Sequence, residues 1–352
     1  MTHTFSSSTP NVGGLGISTP VPLTPVTVVT GFLGSGKTTL IARLLRNQRL
    51  SDTAVIVNEF GEVGLDHVLI EAIEGEVVLL PQGCLCCTLN GSLAATLEGL
   101  ALRRLAGTVA PFRRVVLETT GLADPVPVLQ TLLDRAMLLR GYVPARVVTT
   151  VDAVTGGATL HRHAEARRQI AVADRLLLTK TDLVGKASGL VSQVRALNAR
   201  APLLNVLHGD VALDELLGDA GGELPLRRLP PGRFTAEPAH THRLATTVVR
   251  PSGPIPFGLL AEWLGGLVAE HGERLLRVKG IVAVEGQPQP VAVHGVQHVF
   301  HPPRFLDTWP NRLAEPAVVF ILDGLDPSVI HLSAASAGLT VKGGPHDATP
   351  SR

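Results

Sequence analysis

The chain predicts an α/β protein, with a mainly parallel sheet covered by helices on both faces and a smaller α+β unit after it. Three observations lead there. Short β-branched or aliphatic runs alternate with longer helix-patterned segments over roughly the first two hundred residues. A Gly/Pro-rich stretch between 218 and 242 then breaks the pattern, and alternating strand-like and helix-like runs resume to about residue 340.

The elements follow in order. Residues 1–25 read as a flexible, disordered lead rich in Ser, Thr, Pro and Gly. A β-branched run at 26–30 meets a glycine-rich turn, and 39–45 has helical spacing, giving strand, loop and helix. Further strands are expected at 54–57, 77–80, 115–117, 147–151 and 175–178, which completes a first domain over 26–217. Pro225, Pro230, Pro231, Gly232 and Pro238 mark 218–242 as a linker. The second domain, 243–340, offers a strand at 245–249 and a helix at 257–271 with Leu260, Trp263, Leu264, Leu267 and Val268 on one face. Strands at 281–284, 291–294, 298–301 and 318–322 and a helix at 327–337 follow, with a flexible tail over 341–352.

Of the 352 residues 17% are charged and the formal net charge is +1, so no basic excess points to nucleic acid or an anionic membrane. No apolar run reaches the roughly 18 residues a membrane span needs, and no signal-peptide pattern opens the chain. Cys84, Cys86 and Cys87, the three cysteines present, are too close in sequence to staple distant parts of a fold. A reducing, cytoplasmic setting is the expectation.

Gly31-Phe32-Leu33-Gly34-Ser35-Gly36-Lys37-Thr38 fits the G-x-x-x-x-G-K-[ST] phosphate loop between a predicted strand and a predicted helix. Gly31, Gly34, Ser35 and Gly36 let backbone N–H groups close around phosphate oxygens. Lys37 places its charge on the β- and γ-phosphates, and the Thr38 hydroxyl is suited to hold Mg²⁺, with Thr39 next on the helix. Thr179-Lys180-Thr181-Asp182 ends a later predicted strand. A carboxylate such as Asp182 can accept both guanine donors, N1–H and N2–H₂, a pair adenine lacks. Lys180 would lie along the base, and Thr179 stands where an Asn is commoner. A solvated turn with Asp182 as helix cap is the plain alternative.

Cys84-x-Cys86-Cys87 brings together thiols that suit Zn²⁺ and other soft or borderline ions. Neighbouring residues of an extended segment point to opposite sides, so all three sulfurs converge only if Cys86 or Cys87 lies in a tight turn. Glu62 or water would complete the shell; a cluster of buried apolar cysteines is the alternative.

The ordered set is the loop at 31–38, Asn58-Glu59-Phe60-Gly61-Glu62, Gly83-Cys84-Leu85-Cys86-Cys87, Glu118-Thr119-Thr120-Gly121-Leu122-Ala123-Asp124-Pro125, Val151-Asp152-Ala153 and 179–182. It resembles the CobW family of P-loop GTPases, and Leu275-Leu276-Arg277-Val278-Lys279-Gly280 with Gly295-Val296-Gln297-His298 resembles the family's smaller C-terminal domain. The resemblance implies GTP hydrolysis to GDP and phosphate. Glu118 would stand near Mg²⁺ or the attacking water, and the Gly121 backbone would sense the γ-phosphate. No water-orienting glutamine is evident, so slow intrinsic turnover is expected.

The family implies a metallochaperone in which Mg·GTP assembles the Cys84, Cys86, Cys87 and Glu62 site, for Zn²⁺ or Co²⁺, and passes the ion to a client metalloprotein. The alternative is an activator of a metalloenzyme that delivers no metal. The second domain would dock the client, and the chain would be a monomer or weak homo-oligomer. Where relatives carry a long His-rich stretch, this chain has His240 and His242, with His161 and His163 on a predicted helix, and exposed polar histidines are the favoured reading of both pairs.

Overall fold

The computed structural model describes residues 23–46, 50, 52–57, 77–79, 85–185, 187–217, 244–309 and 315–341. The expected lead before residue 23, the linker 218–242 and the tail after 341 lie outside the described residues.

The first domain is built on strands β1 (Thr24–Gly31), β2 (Thr53–Val57), β3 (Val77–Leu79), β4 (Arg114–Glu118), β5 (Tyr142–Asp152), β6 (Arg175–Thr179) and β7 (Leu203–Val206). They pair in the order β3-β2-β4-β1-β5-β6-β7, and every pairing is parallel. All seven strands therefore end at one edge of the sheet, where crossover loops carry the motifs. β1 lies at the centre between β4 and β5 and is almost wholly buried, as its run of Val and Thr requires of a strand covered on both faces. β7 is a strand that its short, mixed sequence did not announce.

Helices α1 (Lys37–Leu45), α2 (Leu85–Leu105), α3 (Pro125–Leu133), α4 (Arg135–Leu139), α5 (Gly156–Arg162), α6 (Ala164–Ala171), α7 (Ser188–Leu197) and α8 (Leu213–Leu216) cover this sheet. One layer joins Leu93, Leu97 and Leu100 of α2 and Val126, Leu129 and Leu132 of α3 to Val26 and Val115. The other face carries Leu40, Ile41 and Leu44 of α1 against Val29, Val55 and Leu177. Asp124 starts α3 by accepting from the Val126 N–H at 3.0 Å, with Pro125 in the first turn, where a missing N–H costs nothing.

The second domain holds β8 (Leu244–Val249), β9 (Leu275–Val282), β10 (Val291–Val296), β11 (Val299–Phe300), β12 (Arg304–Phe305) and β13 (Ala317–Asp323), in an antiparallel sheet ordered β11-β10-β9-β13-β8 with β12 also on β10. Helices α9 (Phe257–His271) and α10 (Pro327–Ser336) lie on one face, joined where Trp263 Nε1 donates to Ser333 Oγ at 3.0 Å and its ring meets Phe320 edge-on. β9 starts six residues before the strand expected at 281. Its Val278 and Lys279, already before 281, find partners on both β10 and β13, so pairing fixes the span.

The two domains pack directly. Leu276 and Val296 enter the same buried cluster as Val126 and Leu129, and the Gln130 amide donates to Gln297 at 2.8 Å. Arg168 spans Asp124 (3.0 Å) and Asp323 (2.8 Å). Among the described residues no helix is long and apolar enough to cross a membrane.

Candidate functional site

β1 runs straight into the loop at Gly31 and α1 starts at Lys37, so residues 31–38 lie at the carboxyl edge of the central strand. Gly31, Gly34 and Gly36 all hold positive φ, at 142°, 71° and 94°. At Gly31 a Cβ would stand 2.2 Å from Thr150 Oγ1, so neither conformation nor space admits a side chain. Ser35 is buried, with its Oγ 2.6 Å from Thr150 Oγ1, so this hydroxyl ties the loop to β5. Thr39 is exposed on the first turn of α1.

Lys37 is buried and folds across the loop, its Nζ donating to Gly31 O at 2.8 Å and Phe32 O at 3.2 Å. Burial pushes its pKa down while Glu118 pulls it back up. The Thr38 hydroxyl donates to Glu118 Oε1 at 3.4 Å. Two oxygen ligands side by side, one of them charged, suit a hard cation such as Mg²⁺.

Beyond Glu118 the chain turns back on the loop. A Cβ on Gly121 would lie 2.6 Å from Leu33 N, so glycine is what lets these two backbones touch. Gln169 of α6, buried, clamps the segment by donating to Gly121 O at 3.2 Å and Ala123 O at 3.0 Å. Thr119 Oγ1 adds a 2.8 Å bond to Thr30 Oγ1. Gln169 was not legible as a site residue, because 48 positions separate it from Gly121 and no motif surrounds it.

At the end of β6 the Thr179 hydroxyl donates to Ser35 O at 2.8 Å, joining this strand to the phosphate loop. Lys180 takes a left-handed conformation, φ 56°, and its Nζ donates to Asp152 Oδ2 at 2.7 Å. Asp152 Oδ1 accepts from the Val154 and Thr155 N–H groups. Burial would raise the Asp152 carboxyl, but the hydrogen bonds from Lys180 and these amides outweigh it and hold the pKa low. Asp182 is exposed in the turn Thr181–Leu183.

Glu62, Cys84, His240 and His242 lie outside the described residues. The backbone of Cys86 and Cys87 falls in the first turn of α2, where consecutive positions differ by about 100° around the axis instead of the 180° of a strand. His161 lies exposed in the last turn of α5, whereas His163 sits between α5 and α6 with its ring 4.4 Å from Phe32, so it is a packing partner of the phosphate loop and not a helix-face histidine. Among the described residues no group of three His, Cys, Asp or Glu is placed to hold a metal.

A glycine loop with a buried lysine, a Thr–Glu oxygen pair and a Lys–Asp pair at the ends of β6 and β5 define a P-loop nucleotide-binding protein. Comparison with known proteins takes this further. The CobW/HypB/UreG nucleotide-binding domain matches residues 25–205, and the cobalamin synthesis protein cobW C-terminal domain matches residues 244–335. The chain belongs to the CobW family of P-loop GTPases.

It is 34% identical over 317 residues to the zinc chaperone YjiA of Escherichia coli, covering 89% of this chain and 98% of that one. It is 33% identical to the zinc chaperone CobW of Pseudomonas aeruginosa, covering 77% and 80%. The crystal structure of Zn(II)-bound YjiA GTPase from E. coli superposes with a TM-score of 0.68 at 30% identity, covering 91% of this chain and all of that one.

Proposed function

We propose that the chain is a GTP-hydrolysing metallochaperone. Its P-loop unit, residues 26–217, binds and cleaves GTP, a thiolate site made by Cys84, Cys86 and Cys87 with Glu62 carries Zn²⁺ or Co²⁺, and the unit 243–340 docks a client metalloprotein. The observation that carries the reading is the joint placement of Lys37, Thr38 and Glu118 at the carboxyl edge of the parallel sheet. Similarity to two zinc chaperones supports the choice of cargo.

Each residue has a defined part. The Lys37 ammonium and the loop N–H groups balance the charge of the β- and γ-phosphates. Thr38 and Glu118 would hold Mg²⁺, which supplies charge neutralisation between the two phosphates. Glu118 orients the attacking water, and the Gly121 N–H reads the γ-phosphate. Asp182 accepts from the guanine edge, with Lys180 along the base and Asp152 fixing its ammonium. Turnover is slow, since the segment 118–125 carries no glutamine to orient the water.

Topology supports coupling of nucleotide to metal. β3 stands three places from β1, about 14 Å along the edge at the usual strand spacing. β2, which ends at Val57, lies between β3 and β4, and the proposed route from the γ-phosphate to the cysteines runs along this edge. Ordering of this segment by GTP assembles the metal site, and hydrolysis releases the ion.

Titration of Zn²⁺ and Co²⁺ into protein saturated with a non-hydrolysable GTP analogue or with GDP tests this, on wild type and Cys86→Ser. Tighter binding in the GTP-like state, lost in the variant, is expected; equal affinity in both nucleotide states would sink the mechanism. Full activation of a client by Cys86→Ser would instead favour activation without delivery.

A further inference from the structure

Where the second domain leans on the first, β9 presents Arg277 and Lys279, two residues apart and so on one face, to Asp174 at the start of β6. Both cations lie 2.9 Å from its oxygens, and the Val147 N–H adds a third bond. Burial would raise the Asp174 carboxyl, but the two cations outweigh it and hold it far below the usual range. Lys279 fares oppositely. Burial, with Arg277 beside it, outweighs its half share of one carboxylate and brings its pKa down to about 8. One anion is thus divided between two buried cations.

A cavity of about 60 Å³ opens beside this cluster, lined among others by Asp174, Arg200, Thr246, Arg277 and Lys279. Arg200 adds a third cation. Its Nη1 is buried and has no hydrogen-bond partner among the described residues. Burial and the nearby Arg250 lower its pKa to about 10. Asn198, also at the wall, cannot serve it, because its amide donates to Ile170 O, Ala171 O and Ala173 O and its oxygen accepts from the Arg200 and Ala201 N–H groups. The lining therefore carries three positive charges against one negative.

Buried donors without acceptors, and buried charge without countercharge, are costly. One water occupies roughly 10–15 Å³ of such space, so the cavity has room for about four oxygen-sized groups. A dianion with several acceptor oxygens would cancel the surplus charge and supply Arg200 with a partner, which a monocarboxylate would do only in part. We propose that this junction cavity is a binding site for a phosphate-class oxyanion, separate from the P-loop, with Arg200, Arg277 and Lys279 as its cationic wall. The ion is either free phosphate or the phosphate group of a small monoester, and in both cases it bridges β9 and the turn after α7.

The test uses the full chain saturated with Mg²⁺ and a non-hydrolysable GTP analogue, so that the P-loop offers no phosphate site. Inorganic phosphate, and in a second arm glycerol phosphate, is titrated at constant ionic strength while Tm and binding heat are read. Saturable stabilisation of wild type is expected, with binding at least tenfold weaker in Arg200→Gln and held within a few-fold in Arg200→Lys, which keeps the charge. A response to phosphate alone identifies the free ion, and a response to both identifies the phosphoryl group. No saturable response, or the same response in all three proteins, overturns the proposal, including the case in which a carboxylate of this chain fills the cavity.

Discussion

The phosphate loop and the domain junction each bury lysine beside a carboxylate, yet they hold it by different means. Lys37 is held mainly by two backbone carbonyls, with Glu118 near enough to act on its charge and already sharing an oxygen contact with Thr38. Lys279 is held by Asp174 itself, which Arg277 shares. A lysine on carbonyl dipoles can turn to a stronger anion without leaving a buried charge behind. One locked to a buried carboxylate stays on it, and a further anion can only be added to the pair. The first arrangement suits a lysine that turns to its ligand, the second a lysine that fastens two domains while its surplus charge stays available to an added anion.

The largest expected effect is at the seam. Asp174→Asn keeps the shape but strands Arg277 and Lys279, and stability should fall by about 3–5 kcal/mol by urea unfolding, while GTP analogue affinity changes little once the protein is folded. The Asp174 pKa is depressed by folding, so its contribution is present above the ordinary carboxylate value of about 3.9 and drains away as pH falls below it. The gap between wild type and Asp174→Asn should therefore narrow below about pH 4.

Lys37→Ala should show the reverse pattern. Nucleotide affinity should drop by about a hundredfold, or ~2.7 kcal/mol, in a titration with fluorescent GTP analogue, with the unfolding midpoint of the nucleotide-free protein nearly unchanged. Equal losses of stability in the two variants would erase the distinction between the sites.

Gly121→Ala should slow GTP hydrolysis by roughly tenfold in a phosphate-release assay, because the added Cβ must push Leu33 or the 118–124 segment aside. GDP affinity should move less on the proposal that the Gly121 N–H reads the γ-phosphate. Arg168→Gln is expected to have the smallest effect. Its ion pairs are partly exposed, and thermal unfolding should report about 0.5–1 kcal/mol.

The residues that were easiest to read are those whose chemistry is contiguous. Residues 31–38 sit in one unbroken string between a strand and a helix, so the pattern and the structure coincide. Glu118 and the stretch 179–182 were singled out by family likeness, and the structure sets them at the carboxyl ends of β4 and β6, two strands of one parallel sheet. Gln169, Thr150 and Arg168 were not, because each acts through a partner between 44 and 155 residues away. Arg277 and Lys279 were noticed as a family likeness but not as the residues that fasten the domains; only the pairing of β9 brings them to Asp174. β7 escaped notice because it is four residues long and takes its identity from β6.

Lys180 carries a last consequence. A residue with a Cβ in the left-handed region gives up about 1–2 kcal/mol relative to a right-handed one, a penalty glycine escapes. Selection for heat resistance alone would therefore drift this position toward glycine and discard the ammonium that Asp152 steadies. A library screened for both melting point and guanine-over-adenine preference should find the two rewards pulling this codon in opposite directions.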